Sequence, residues 1–184
     1  MQLRNSARRY GAVPKLLHWL TVILVVLAWS LGTFGDDLPR GAAQSAGLFI
    51  HISTGLTIFA VLVIRLIWRV FDPPPPTEVT PLGSWLILAG KAAHFALFGL
   101  LAVTPILGVL VQFARGETLP LYGLLEIPSP WVRDRAFAGS IKGIHETLAN
   151  ALMILAALHT AAALVHHWVF RDRTLKRMLP GVSR

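Results

Sequence analysis

An all-α integral membrane protein, a four-helix bundle running up-down-up-down, is what this sequence predicts, and three observations predict it. Of the 184 residues, 54% are apolar and 14% charged, and the mean hydropathy is +0.61. A soluble domain of this size buries only about 70% of what its chain exposes and cannot hide that much apolar area. Four stretches, at about residues 16–34, 46–71, 92–114 and 147–170, are long enough to cross a hydrocarbon core of about 30 Å. Basic residues are also divided unequally between the two sides of these spans.

The first span (LLHWLTVILVVLAWSLGTF) is not expected to be a cleaved signal peptide. It lacks a small-residue cleavage site, ends in Gly35-Asp36-Asp37 and is followed by another span. The second closes on RLIWRVF, and Asp72 with Pro73–Pro76 then forms an extended linker that no helix can enter. From Pro81 to Lys91 the pattern is mildly amphipathic, so the third helix is expected to start ahead of its uncharged membrane section, Ala92 to Ala114. The connection from Arg115 to Lys142 is the longest, with Pro120, Pro128 and Pro130, and with Tyr122 and Trp131 suited to the interface. No internal repeat or separating linker is evident, so residues 1–184 are expected to form a single domain.

Orientation follows from the cations. Arg4, Arg8, Arg9, Lys15, Arg65, Arg69, Lys91, Arg171, Arg173, Lys176, Arg177 and Arg184 fall on one side, twelve in all. Arg40, Arg115, Arg133, Arg135 and Lys142 make five on the other. The positive-inside rule puts both termini in the cytoplasm. Acids run the other way, leaving net charges of +9 inside and −1 outside. The overall +8 is thus a topology signal, and no nucleic-acid recognition motif accompanies it. Cysteine is absent, which excludes disulfides, iron–sulfur ligation, thiolate zinc sites, c-type haem attachment and a thiol nucleophile.

Seven histidines remain, and ionisable side chains inside a membrane mark functional sites by default. His18 and His94 lie near the inner ends of the first and third spans, and His51 near the outer end of the second. The fourth carries His145 at its outer mouth, His159 deeper, and His166 and His167 towards the cytoplasm. His145 and His159 are 14 residues apart, about 40° short of four turns, so they share a face at depths ~21 Å apart. Each needs a partner at its own depth. For His145 that is His51; for His159, His18 and His94 compete. Two bis-imidazole pairs across a bundle describe two b haems, each a coordinatively saturated electron-transfer centre. Gly55, one turn after His51, lets a macrocycle approach the backbone or serves ordinary helix packing. A zinc-protease reading fails, because His145-Glu146 is followed by Ala149 where the second ligand belongs.

HETLANALMILAALHTAAALVHHWVFRDRTLKRMLPG, from His145 to Gly181, resembles the C-terminal signature of the bacterial cytochrome b561 family, and KLLHWL, FIHISTG, RLIWR and AAHFALFGLL fit the same pattern. The resemblance implies a four-helix cytochrome of the bacterial inner membrane with two b haems, passing electrons between membrane quinone and a second redox partner. It implies His51 with His145 as ligands of the outer haem iron and His18 with His159 of the inner. His94 and His166 are left beside the haem or at a quinone. The stand-alone branch of the family includes enzymes that oxidise superoxide at the outer face and reduce ubiquinone. That activity is favoured here, because the chain is complete at four helices without another redox motif. Arg115, Arg133, Arg135 and Lys142 are expected to draw in the small anion. The alternatives are a cytochrome b subunit of a dehydrogenase or hydrogenase docked to a redox protein, a carrier running from quinol to an exported acceptor, and a small transporter with a histidine proton relay.

Overall fold

Backbone polar groups cannot be left unpaired in hydrocarbon, so each apolar stretch must become a helix that satisfies them internally. The computed structural model describes residues 2–7, 9–76 and 83–180. Arg8, Glu78, Pro81, Gly181 and Arg184, used in the charge count, the linker reading or the resemblance, lie outside the described residues. α1 runs Ala12–Phe34, followed by a 3-10 turn at Gly35–Asp37; α2 runs Ala42–Phe71 and α3 Ser84–Ala114. A hairpin of β1 (Leu119–Leu121) and β2 (Leu125–Ile127) precedes α4 (Arg135–Trp168) and the short α5 (Thr174–Met178). All four long helices are apolar enough to cross a membrane. Ile23, Ile64, Ile154 and Leu158, between 50% and 63% exposed, face outward, as suits helices surrounded by lipid tails as apolar as leucine.

The helices are longer than the apolar stretches. α4 starts at Arg135, not near 147, so Lys142 and His145 sit on a helix and the expected loop from Arg115 to Lys142 is shortened. Hydropathy marks only the lipid-facing part, whereas the cap marks the true start. The Asp134 carboxylate accepts the Phe137 N–H at 3.0 Å, satisfying one of the four unpaired donors of the first turn. α4 also ends two residues before the expected 170. Between α3 and α4 the hairpin pairs Leu119 with Ile127 and Leu121 with Leu125, a small departure from pure α. It can form because Gly116, at φ 69°, closes α3 with a Schellman arrangement: Glu117 N–H to Gln112 O and Gly116 N–H to Phe113 O.

α1 packs along α2, and α3 along α4; α2 meets α3 less closely, and α1 touches α4 at few points. The bundle is therefore two helical hairpins with a loose seam between them. Val25, Ile58, Leu62, Leu101 and Leu152 form the buried core across that seam. At the end of the bundle that carries both termini, named inner from the positive-inside expectation, Asp72 clasps the N-terminal segment. Its carboxylate accepts the Asn5 N–H and the Trp68 indole N–H, and its carbonyl accepts Asn5 Nδ2. Lys15 and Trp19 of α1 donate to the carbonyls of Leu179 and Met178, which ties the C-terminal segment to the same end.

Candidate functional site

Seven residues fall about 20° short of two turns, so side chains at that spacing stack on one helix face. Counting from the outer end, α1 presents Gly32, Val25 and His18; α2 His51, Ile58 and Arg65; α3 Gly108, Leu101 and His94; α4 His145, Leu152 and His159. Every step is seven residues. The middle member of each set belongs to the buried core, so the bundle is layered: histidines and glycines outside, a hydrophobic septum, then three histidines and an arginine inside.

In the outer layer the rings of His51 and His145 face each other across the hairpins, with centroids 6.1 Å apart and planes at 81°. His51 Nδ1 hydrogen-bonds to Ala28 O at 2.8 Å and His145 Nδ1 to Thr104 O at 2.9 Å. A backbone carbonyl only accepts, so both Nδ1 atoms carry the proton and both Nε2 lone pairs remain for a metal. Each ring slides past a glycine four residues after its carbonyl. A Cβ on Gly32 would stand 3.0 Å from His51 Cε1, and one on Gly108 3.3 Å from His145 Cε1. The two rings border a cavity of about 650 Å³ that Gly55, Thr104, Leu101, Leu152, Arg115 and Lys142 also line, within the range typical of cofactor sites.

A haem fits these residues. Two imidazoles sharing one metal ion at the usual nitrogen distance of about 2.0 Å have centroids about 6 Å apart, close to the 6.1 Å found. A Cβ on Gly55 would meet nothing within 4 Å, so the macrocycle-approach reading of that glycine suits its place on the cavity wall. Thr104 Oγ1 is buried without a partner among the described residues, at the same wall. No group of three or more His, Asp or Glu able to hold a metal occurs among the described residues, so these pairs suit a metal whose other positions are already filled.

In the inner layer His94 lies against His159, centroids 5.2 Å apart, nearly 1 Å closer than the outer pair. Both belong to the tightly packed α3–α4 hairpin. His18, edge-on to Trp19 at 5.7 Å, stands across the loose α1–α4 seam within electrostatic reach of both. The structure thus gathers His18, His94 and His159 at one level and puts His94, not His18, in ring contact with His159.

His166 is removed from this layer, in the last turn of α4. Its Nδ1 hydrogen-bonds to the Asp172 carboxylate, and Asp172 Oδ1 accepts the Thr174 N–H at the start of α5. Burial pushes the Asp172 carboxyl up, but the His166 bond and the Thr174 donors outweigh it, so its pKa lies below the ordinary 3.8. A depressed acid stabilises the fold above its unfolded value and loses that contribution as pH falls through its folded value. Asp172→Asn is therefore expected to lower the melting temperature by a few degrees at neutral pH, with the gap to wild type closing below pH 3.8.

At the outer mouth the cations are mixed with acids. Lys142 pairs with Glu146 at 3.3 Å, Arg115 and Asp36 line the cavity beside them, and Arg133 packs against Gly116. Gly32, Gly108 and Arg65 were not evident from the sequence alone; the seven-residue spacing around each histidine is the signal that finds them. Because both glycines admit a ligand ring, Gly32→Val and Gly108→Val are each expected to weaken retention of the outer group about 10- to 100-fold. The haem-to-protein ratio after stringent detergent washing measures this.

A membrane-spanning four-helix bundle with facing, tautomer-fixed histidines is the build of a membrane cytochrome. The family model for prokaryotic cytochrome b561 matches residues 9–181. Cytochrome b561 homolog 2 of Escherichia coli (strain K12) is 34% identical over 188 residues, covering 97% of this chain and 95% of the relative. Probable superoxide oxidase CybB of Yersinia pestis is 31% identical, covering 94% and 97%. Cytochrome b562 of Cereibacter sphaeroides is 28% identical, covering 92% and 94%. The chain belongs to the prokaryotic cytochrome b561 family, whose members bind b-type haem and transfer electrons in bacterial membranes.

Proposed function

We propose that this protein holds two b haems in the bacterial inner membrane and oxidises superoxide at its outer face while reducing ubiquinone. The observation that carries this is the outer pair, His51 and His145, with both Nδ1 protons fixed by carbonyls and both Nε2 atoms available beside the cavity. Held by His51 and His145, b haem would supply a one-electron carrier. The reaction balances as two superoxide anions giving two molecules of oxygen, with two electrons and two protons converting ubiquinone to ubiquinol.

For the inner haem we assign His18 and His159. They come from different hairpins, on helices α1 and α4 that touch at few points, whereas His94 and His159 share a tightly packed hairpin with their rings in contact. His94 then positions the His159 ring. At the inner surface His166 is assigned to a quinone carbonyl. With Nδ1 held by Asp172, its Nε2 accepts a hydrogen bond when the ring is neutral and donates when it is protonated. The name of the Yersinia pestis relative supports superoxide as donor, and the cations Arg115 and Lys142 at the cavity mouth suit an anion.

A second reading has one observation behind it. Leu124 and Val132, 86% and 92% exposed on the outer connection, suit a docked redox subunit of a dehydrogenase or hydrogenase. Superoxide supplied to the purified protein with ubiquinone separates the two: quinol forms in the first case and not in the second.

A further inference from the structure

The inner layer contains a cation that the reading above leaves without a role. Arg65 occupies the α2 position two seven-residue steps from His51, level with the three inner histidines. One of its N–H groups donates to Thr21 Oγ1 of α1 at 3.1 Å, and its guanidinium lies over the Phe98 ring of α3 at 5.3 Å. Thr21 is 6% exposed and donates its own proton to Leu17 O at 2.7 Å, so its oxygen is oriented to accept. Arg69, one turn on, stands over the same Phe98 ring at 5.9 Å. His18 and His94 both sense the charge of Arg65.

Among the described residues neither arginine meets an anion. Among the described residues the ion pairs are Lys142–Glu146 and His166–Asp172, and no carboxylate meets Arg65 or Arg69. Like charges one turn apart on a helix repel, and an arginine in a membrane span is costly unless it is paired or faces a polar partner. Thr21 uses one of the five donors of Arg65, which leaves most of a planar fork shaped for a carboxylate. The anchoring on α1 and α3 fixes where that fork lies: between Thr21 and Phe98, at the level of the inner histidines.

We propose that Arg65, held by Thr21 and Phe98 and seconded by Arg69, is a carboxylate-binding site for a propionate of the haem at the inner level. This rests on the two-haem reading above. Its consequence is electronic: a cation at that carboxylate cancels negative charge near the iron and holds the inner reduction potential up, which favours electron flow from the outer side inward.

Potentiometric titration of the wild type, R65Q and R65K, with haem content measured in parallel, tests this. R65Q is expected to keep both haems while one midpoint falls by about tenfold in the reduction equilibrium, or 59 mV for one electron. The other midpoint stays, and R65K retains part of the effect. Haem whose propionates are esterified, loaded into apoprotein from haem-deficient cells, should raise the inner midpoint of the wild type, because the negative charge is lost while the cation stays. It should return R65Q to about the wild-type value, because both charges are then gone. If R65Q cannot hold the inner haem, R65K carries the same comparison with the esterified haem. Unmoved midpoints in R65Q, or a wild-type inner midpoint that esterification leaves unchanged or lowers, overturn the proposal. So does a midpoint that follows added phosphatidylglycerol and not esterification, since the occupant is then a lipid phosphate. A wild-type protein with fewer than two haems overturns the underlying two-haem reading instead.

Discussion

His145→Ala is expected to leave the protein folded in the membrane with one b haem in place of two, and to reduce superoxide-driven quinol formation by at least about 100-fold. The loss follows from the geometry of the outer layer. His145 reaches the cavity from α4 and His51 from α2, so removing either imidazole leaves a metal with a single protein ligand. Losing even a residue that merely orients a ligand costs about 10- to 100-fold in metal affinity, and losing the ligand itself costs more. His51→Ala is expected to give the same one-haem product, which a pyridine haemochrome assay and a reduced-minus-oxidised spectrum report directly. The fold should survive, because the buried septum of Val25, Ile58, Leu101 and Leu152 lies two turns away from the substitution.

His159→Ala is expected to remove the other haem, as is His18→Ala, while His94→Ala keeps two. The three inner imidazoles differ in where they stand. His94 and His159 touch within one closely packed hairpin, and His18 faces them from the other hairpin. In the proposed assignment each ligand pair straddles the seam, His18 with His159 as His51 with His145. His94→Ala should instead move the inner midpoint and broaden its spectrum, because the His159 ring loses the neighbour that fixes its orientation. If His94→Ala loses a haem and His159→Ala does not, His18 and His94 are the inner ligands. That pair also straddles the seam, so the two variants decide it.

The four membrane helices and the histidine levels were legible in the sequence because both depend on local chemistry: apolar length for the spans, and a 14-residue spacing for the shared face of α4. Helix ends were less legible. The Asp134 cap lies outside the apolar stretch, so hydropathy places the start of α4 near 147 although the helix begins at Arg135. The layer partners were harder still, because a glycine signals its role only through what passes it. Gly55 stands out in the sequence for its place after His51, yet Gly32 and Gly108 are the glycines that lie against the His51 and His145 rings. Arg65 counted only as a cytoplasmic-side charge until the bundle placed it level with His18. The layers also correspond in sequence: Lys15-Leu16-Leu17-His18-Trp19 and Lys91-Ala92-Ala93-His94-Phe95 share Lys, His and an aromatic residue at the same spacing. The two hairpins are thus built on one plan, which a search for longer repeats passes over.

The same layering explains why ligand chemistry needs so few polar residues here. Each outer histidine takes its proton partner from a carbonyl already present in a neighbouring helix, Ala28 or Thr104, so no buried carboxylate is required to set the tautomer. The septum then keeps the two levels ~21 Å apart, two seven-residue steps, each with its own surroundings: hydrogen-bonded imidazoles and glycines outside, histidines and a guanidinium inside.

Quinol formation by the purified protein, supplied with enzymatically generated superoxide and a soluble ubiquinone, tests the central claim most directly. Quinol well above the spontaneous background is expected, one per two superoxide anions consumed, with its loss in His145→Ala. A wild-type preparation that carries both haems yet forms no quinol above background would contradict it.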